Sequence, residues 1–187
     1  MIPYQKEKLE NAICFFASEH QKVTHRPLPQ TFLYKYLAFL DFRILEETGI
    51  PTLGLEYMAM ERGPVPIQLY RDRDKIKSNC FEFKNLGGNL YVVVAKGKPD
   101  LDFFSDHEIK EMGRLIEIYA DRFVKASDIS EASHEDIMAW KKAWKKKQNS
   151  LIDYDFAFDE DIYSKPKKSL SFAEECYLTY KALQKAS

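Results

Sequence analysis

Hydrophobic positions recur at helical spacing near the start of the chain. Leu9, Ile13 and Phe16, with Ala12 and Phe15 widening the stripe, predict a helix over residues 4–20. The polar "HQKVTHRPLP" breaks that pattern, and Pro29 stands where an early helical residue loses nothing by lacking an N–H. From there "QTFLYKYLAFLDFRILEET" is apolar nearly all round: Leu33, Leu37, Leu40 and Ile44 mark one face, while Tyr36, Phe39 and Phe42 cover much of the rest. A helix without a polar face is normally enclosed by others, so this one is expected at the centre. Gly49 as the C′ residue and Pro51 behind it end the helix.

The period then changes. Leu53, Leu55, Tyr57 and Ala59 alternate with Gly54, Glu56 and Met58, which predicts a short strand. At Gly63 the chain turns, and Pro64 and Pro66 fix φ at the start of a short helix near "IQLYRDRDKIK". "CFEF", the turn "KNLGGN" and "LYVVV" read as a β-hairpin. "SDHE" at 105–108 fits a capping box, after which Ile109, Met112, Ile116, Tyr119 and Phe123 line one helical face. Ser127 is expected to cap a short helix and Ser133 to begin another, with Asp136 at N3 and Trp140 and Trp144 at i, i+4. Residues 150–168 read as a loop or mobile segment, acidic and then rich in Lys and Pro; "SFAE" at 171–174 caps a terminal helix to about Lys185. The fold class is α+β: a mainly helical single domain with a small β-hairpin sheet. Its element order of helix, helix, strand, helix, hairpin matches that of a winged helix, an analogy that carries no function by itself. Residues 4–147 are expected to form the domain and 148–187 a C-terminal extension.

Composition narrows the partners. Hydrophobic residues are 45% and aromatics 14%, enough for a packed core, and the formal net charge is −1, so no global field draws in nucleic acid or an anionic membrane. The three cysteines, Cys14, Cys80 and Cys176, are widely separated and odd in number, with no CxxC; neither a zinc knuckle nor a disulfide framework is indicated. The opening "MIPYQKEKLE" lacks the apolar region of a signal peptide and no run approaches a membrane span, so a soluble cytoplasmic protein is expected.

A search for chemistry returns little. There is no G-x-S-x-G elbow, and Cys14 lies on a helical face expected to be buried, where a thiol packs rather than reacts. His20 and His25 lack a third ligand at recognisable spacing, H-E-x-x-H is absent, and His107 falls inside a capping box. "DYDFAFDEDIY" fails as a calcium loop, because Phe158 and Ser164 occupy the places that need glycine and glutamate. "NLGGN" sits in a hairpin and is no P-loop. No catalytic residue, metal ligand or cofactor site is named. "WKKAWKKK" offers the one nucleic-acid candidate: Lys141, Lys142, Lys145 and Lys146 for phosphates, with Trp144 to stack on bases. The plainer reading turns the tryptophans inward and leaves the lysines in solvent, where the acidic 153–161 segment could fold back and cancel their field.

Four ordered elements carry a resemblance. Leu40-Asp41-Phe42, then Gly49 to Tyr57, then "GPVPIQLY" from Gly63 to Tyr70, then Ser133-His134 to Trp140 resemble the Panacea domain, the family of SocA-like antitoxins and the phage-associated protein GepA. Leu40 replaces the usual alanine, Leu53 stands where threonine is common, and the last element is shorter than usual. The resemblance implies a non-enzymatic protein that neutralises a partner toxin, encoded by an adjacent gene, through direct binding, with delivery to a cellular protease in at least some members. It singles out Asp41, Tyr57, Gly63, Pro64, Pro66, Tyr70, His134 and Trp140 as motif or partner-binding residues. Read from the residues alone, Gly63, Pro64 and Pro66 set a rigid corner, and Asp41 must find hydrogen bonds from backbone N–H groups, Arg43 or Arg62 if buried. Scaffold support is the competing role for these positions, and nucleic-acid binding the competing function.

Overall fold

The computed structural model describes residues 2–185. Within them the order is α1 (Gln5–Thr24), β1 (Leu28–Pro29), α2 (Gln30–Thr48), β2 (Tyr57–Met60), β3 (Gly63–Pro66), α3 (Ile67–Asp72), β4 (Phe81–Asn85), β5 (Tyr91–Ala95), α4 (Asp106–Tyr119), α5 (Ala126–Asp136), α6 (Met138–Lys146) and α7 (Phe172–Lys185). The result is the mainly helical α+β arrangement that the patterning predicts.

α2 runs through the middle because it has no polar face to offer water. Leu33, Tyr36, Leu37, Leu40, Phe42 and Leu45 are all buried, with α1, α4, α5 and α7 packed around them. The helix ends at Gly49, whose φ of 81° is the left-handed cap that its sequence predicts. A side chain there would run into the backbone of Ala173 and Tyr177, so the same glycine lets α7 approach the end of α2.

Two small antiparallel sheets flank this core. One has the order β1-β5-β4, with Leu28 opposite Val93 and Phe83 opposite Val93 on the other side. The β2–β3 hairpin lies between α2 and α3 in the chain and forms a sheet of its own. That second sheet is a difference from expectation. Gly63–Pro66 does not lead straight into a helix; it is itself a strand, pairing Met60 with Gly63 and Tyr57 with Pro66. Prolines are tolerated because β3 has only one strand partner and Pro has no N–H to lose on its free side.

Three further expectations shift. α5 runs through Ser133, which is buried inside it, and the Trp140 helix starts at Met138 after a cap at Ile137. α4 stops at Tyr119, leaving Phe123 74% exposed instead of on its inner face. Residues 150–168 are irregular but packed: Ile152, Phe158 and Ile162 are buried, and Phe158 stacks on Tyr177 of α7 at 4.5 Å. Residues 149–152 bond along the free side of β2, through Ala59 N–H to the Ser150 carbonyl (2.8 Å) and Ile152 N–H to the Tyr57 carbonyl (2.8 Å).

Contrary to the expectation of no disulfide, Cys14 and Cys80 form one between α1 and the start of β4, with Cα atoms 5.7 Å apart. Their separation of 66 residues says nothing about distance in space, so no spacing rule could have found the pair. Cys176 is free.

Candidate partner-binding site

The motif residues gather around the β2–β3 hairpin, which is held at both ends. At one end stands Asp41, from the middle of α2 and fully buried. Its Oδ1 accepts from the N–H groups of Leu53 (2.5 Å) and Gly54 (3.1 Å), and its Oδ2 from Leu55 N–H (3.2 Å) and the Tyr57 hydroxyl (2.9 Å). The Tyr154 hydroxyl lies 3.3 Å from the same oxygen and 2.8 Å from the Leu55 carbonyl. Arg43 pairs with Glu47 and Arg62 makes no ion pair among the described residues, so backbone and tyrosine donors alone satisfy the carboxylate. Burial pushes the Asp41 carboxyl above the usual carboxylate range, and the donors offset only part of that rise. The arrangement folds residues 53–55 around one side chain and sets where β2 begins. Next to it, the Thr52 hydroxyl is buried without a partner, one position before the Leu53 that departs from the motif.

At the turn end Gly63 has φ 97°, open to glycine and strained for other residues. A methyl group at this position would overlap Ser133 Oγ and the Lys35 ammonium. Lys35 is only 1% exposed and donates to the Pro64 carbonyl at 3.2 Å; no ion pair reaches it among the described residues. Burial lowers its pKa to about 7. Ser133 Oγ donates to the Ser130 carbonyl (2.7 Å). The His134 ring stacks on Trp140 with centroids 4.0 Å apart, and Trp140 Nε1 donates to the Met60 carbonyl at 3.1 Å, fastening α6 to the hairpin. Burial, then the nearby Lys35 charge, lowers the His134 pKa, and its Nε2 is buried without a partner.

Tyr70, on α3, stands apart from both clusters. It packs edge-on against Tyr34 at 6.3 Å and lines a cleft of about 750 Å³ between α2, the β2–β3 turn, α3 and the β4–β5 tip. Pro64 and Pro66 are buried in the hairpin itself.

The lysine helix is largely engaged. Lys142 donates to the Phe158 carbonyl (2.6 Å), Lys141 pairs with Glu135 (2.9 Å), and the Lys146 ammonium sits 5.4 Å above the Phe156 ring. Trp140 is buried and Trp144 stacks on it, so the tryptophans face inward. Asp155, Asp159 and Glu160 line one cavity with Lys142, Lys145 and Lys146, but the ion pairs of Asp155 and Asp159 go to Lys181 and Lys165.

The sequence reading missed Lys35. The signal was there: Lys35 and Asp41 are the two charges on the otherwise apolar run from Phe32 to Phe42, and only Asp41 was singled out. Among the described residues no group of three or more His, Cys, Asp or Glu is placed to hold a metal ion. His20 accounts for itself, with Nδ1 3.1 Å from the Tyr36 hydroxyl and burial lowering its pKa to about 4. No helix among the described residues is long and apolar enough to cross a membrane.

No curated protein and no solved structure matches the chain. The family model described as antitoxin SocA-like, Panacea domain, matches residues 33–141, more than half of the chain. That span contains Lys35, Asp41, the whole β2–β3 hairpin, Tyr70, His134 and Trp140, so the chain belongs to the antitoxin SocA-like family of Panacea domains, which implies an antitoxin role and a toxin partner in general.

Proposed function

We infer that this chain neutralises a protein toxin by binding it directly, without making or breaking a covalent bond. The toxin is the product of an adjacent gene, and a cellular protease that removes the captured toxin is the second partner this reading accommodates. One observation carries the reading: the residues of the family motif are spent on bracing. Asp41, Tyr57 and Trp140 hold the β2–β3 hairpin against α2 and α6 through hydrogen bonds, His134 stacks on Trp140, and Gly63 lets Lys35 and Ser133 pack against the turn. A surface that must present a fixed shape to a folded partner needs that rigidity, because ordering it on binding would subtract from affinity.

The engaged lysines of α6 weigh against nucleic acid as the principal ligand. Duplex binding requires free cations in a continuous patch, and here Lys141, Lys142 and Lys146 are engaged by Glu135, the Phe158 carbonyl and the Phe156 ring. The test is co-expression with the neighbouring gene under an inducible promoter. The neighbour alone should arrest growth and the pair should restore it, with the two proteins co-purifying. A neighbour that is harmless on its own, or arrest that persists when both are made, overturns the reading.

A further inference from the structure

The cleft beside Tyr70 has a composition that the bracing role does not explain. Its lining includes Tyr34, Tyr91 and Lys35, which are buried, with Tyr70 half-buried and Arg62 exposed. Behind the wall, the Arg73 guanidinium lies 4.3 Å from both the Tyr70 and Tyr91 ring centroids and donates to Asn89 Oδ1 at 3.1 Å, while its Nε is buried without a partner. Glu61 is the one carboxylate among the lining residues. At the hairpin tip, Leu86 and Leu90 are 59% and 57% exposed, so an apolar edge adjoins the cationic cleft.

Tyrosine, arginine and methionine are the residues enriched where proteins meet, and well-enclosed aromatic pockets carry most of the binding energy. Met60 and Arg62 at the turn, with the three tyrosines, supply that set. The charges select the occupant. Arg62 is exposed and makes no ion pair among the described residues, and Lys35 is buried with only the Pro64 carbonyl as hydrogen-bond acceptor. A buried ammonium without a counter-charge is costly, and a carboxylate brought against it relieves the cost.

Resting on the antitoxin reading, we propose that this cleft is the toxin-docking surface and receives an acidic, extended segment of the toxin. A carboxylate of that segment settles toward Lys35 and Arg62, and a neighbouring apolar side chain lies against Leu90 and the tyrosine wall. The lowered pKa of Lys35 fits, since an incoming carboxylate would restore its proton. A nucleic-acid strand fits less well: two lining cations do not make the run of phosphate contacts that tracking a backbone needs.

The test uses the full-length chain and the product of the adjacent gene. Arg62→Glu and Tyr70→Ala are compared with the parent and with Lys110→Glu, an exposed charge reversal on α4 outside the cleft. Growth rescue, binding to the purified toxin and binding to overlapping peptides from its sequence are measured, with melting temperature to monitor folding. Because Arg62 makes no ion pair, its reversal should leave the melting temperature unchanged while weakening toxin binding at least about tenfold. Lys110→Glu should behave as the parent, and the peptides captured should be acidic. If Arg62→Glu and Tyr70→Ala rescue growth and bind as the parent does, the cleft is not the docking surface and the antitoxin reading survives. If the parent itself fails to neutralise, both fall. Capture of basic peptides, or duplex DNA binding that Arg62→Glu abolishes, also overturns the assignment of an acidic segment.

Discussion

Replacing Lys35 by methionine should make the protein more stable at neutral pH, and less distinctively so as the pH rises. Lysine takes up a proton at 10.5 in the unfolded chain but at about 7 in the folded one, because burial penalises the ammonium. Between those values the unfolded state binds the extra proton, so stability rises with pH from about 7 to about 10.5 and is flat below about 7. The full difference is worth about 5 kcal/mol, at about 1.4 kcal/mol for each tenfold change. Methionine keeps the apolar stem and drops the charge, but loses the hydrogen bond to the Pro64 carbonyl, worth about 1 kcal/mol. A net gain of about 2–4 kcal/mol near neutral pH follows, shrinking toward zero or reversing near pH ~10.

Urea denaturation followed by the fluorescence of Trp140 and Trp144, repeated across that pH range on parent and variant, measures it. Taking the difference between the two proteins cancels the pH dependence that all other groups contribute equally to both. A methionine variant that is less stable at neutral pH, or a difference that does not change with pH, would mean that Lys35 stays protonated in the fold and that the burial argument is wrong. On the docking proposal the more stable variant should also bind toxin more weakly, so that stability and binding move in opposite directions.

The remaining predictions concern the bracing. Asp41→Asn keeps one acceptor oxygen but turns an amide N–H₂ toward donors at Leu55, Tyr57 and Tyr154; it should cost about 2–4 kcal/mol in denaturant unfolding, against about 1 kcal/mol for Tyr154→Phe. Equal costs would show that the carboxylate is not the hub. Gly63→Ala meets both a positive φ and the packed Ser133 and Lys35 side chains, so it should lose more than about 2 kcal/mol, whereas Gly88→Ala, with a positive φ and open space around it, should lose about 1 kcal/mol. Matching losses at the two glycines would rule out the steric part of the argument. Reducing the Cys14–Cys80 bond frees a loop whose ends are 66 residues apart, for which chain entropy alone gives about 4 kcal/mol. Thermal melts with and without reductant should differ accordingly, Cys80→Ser should melt like the reduced parent, and indistinguishable melts would contradict the bond.

Much of the fold was legible because its signals are local. The limits of α2, from Gln30 to Gly49, and the capping boxes at Ser105 and Ser171 follow from propensity, a glycine and hydrogen bonds within three residues. What was not legible depends on groups far apart in the chain. Gly-Pro-Val-Pro reads as a turn into a helix, and only the pairing of Gly63–Pro66 with Tyr57–Met60 makes it a strand. Ser133 looks like a cap because serine usually is one, but it lies inside α5, its hydroxyl bonded to the Ser130 carbonyl and packed against Gly63. The need of Asp41 for donors could be deduced, whereas their identity, including Tyr154 more than a hundred positions away, could not. Lys35 was passed over because a lone lysine in an apolar run is usually read as reaching out to water.

The rigid corner now has a physical explanation. A two-stranded hairpin is marginal by itself, and its two prolines leave the free side of β3 without donors for a further strand. Stability therefore has to come from its ends and its free side. Asp41 grips the Tyr57 end, Trp140 and the Lys35–Ser133 pair grip the Gly63 end, and residues 149–152 supply the missing ladder bonds along β2. The two grips come from α2 and α6, so a load on the hairpin is passed to the central helix and to the packed 150–168 segment together. Met60, Glu61 and Arg62, in the turn between those grips, are the part of the hairpin that faces the cleft. Fixing both ends of a strand pair while leaving its turn on a cationic, aromatic cleft is an arrangement suited to presenting side chains without moving them, and that is the mechanical requirement of a protein that acts by occupying another.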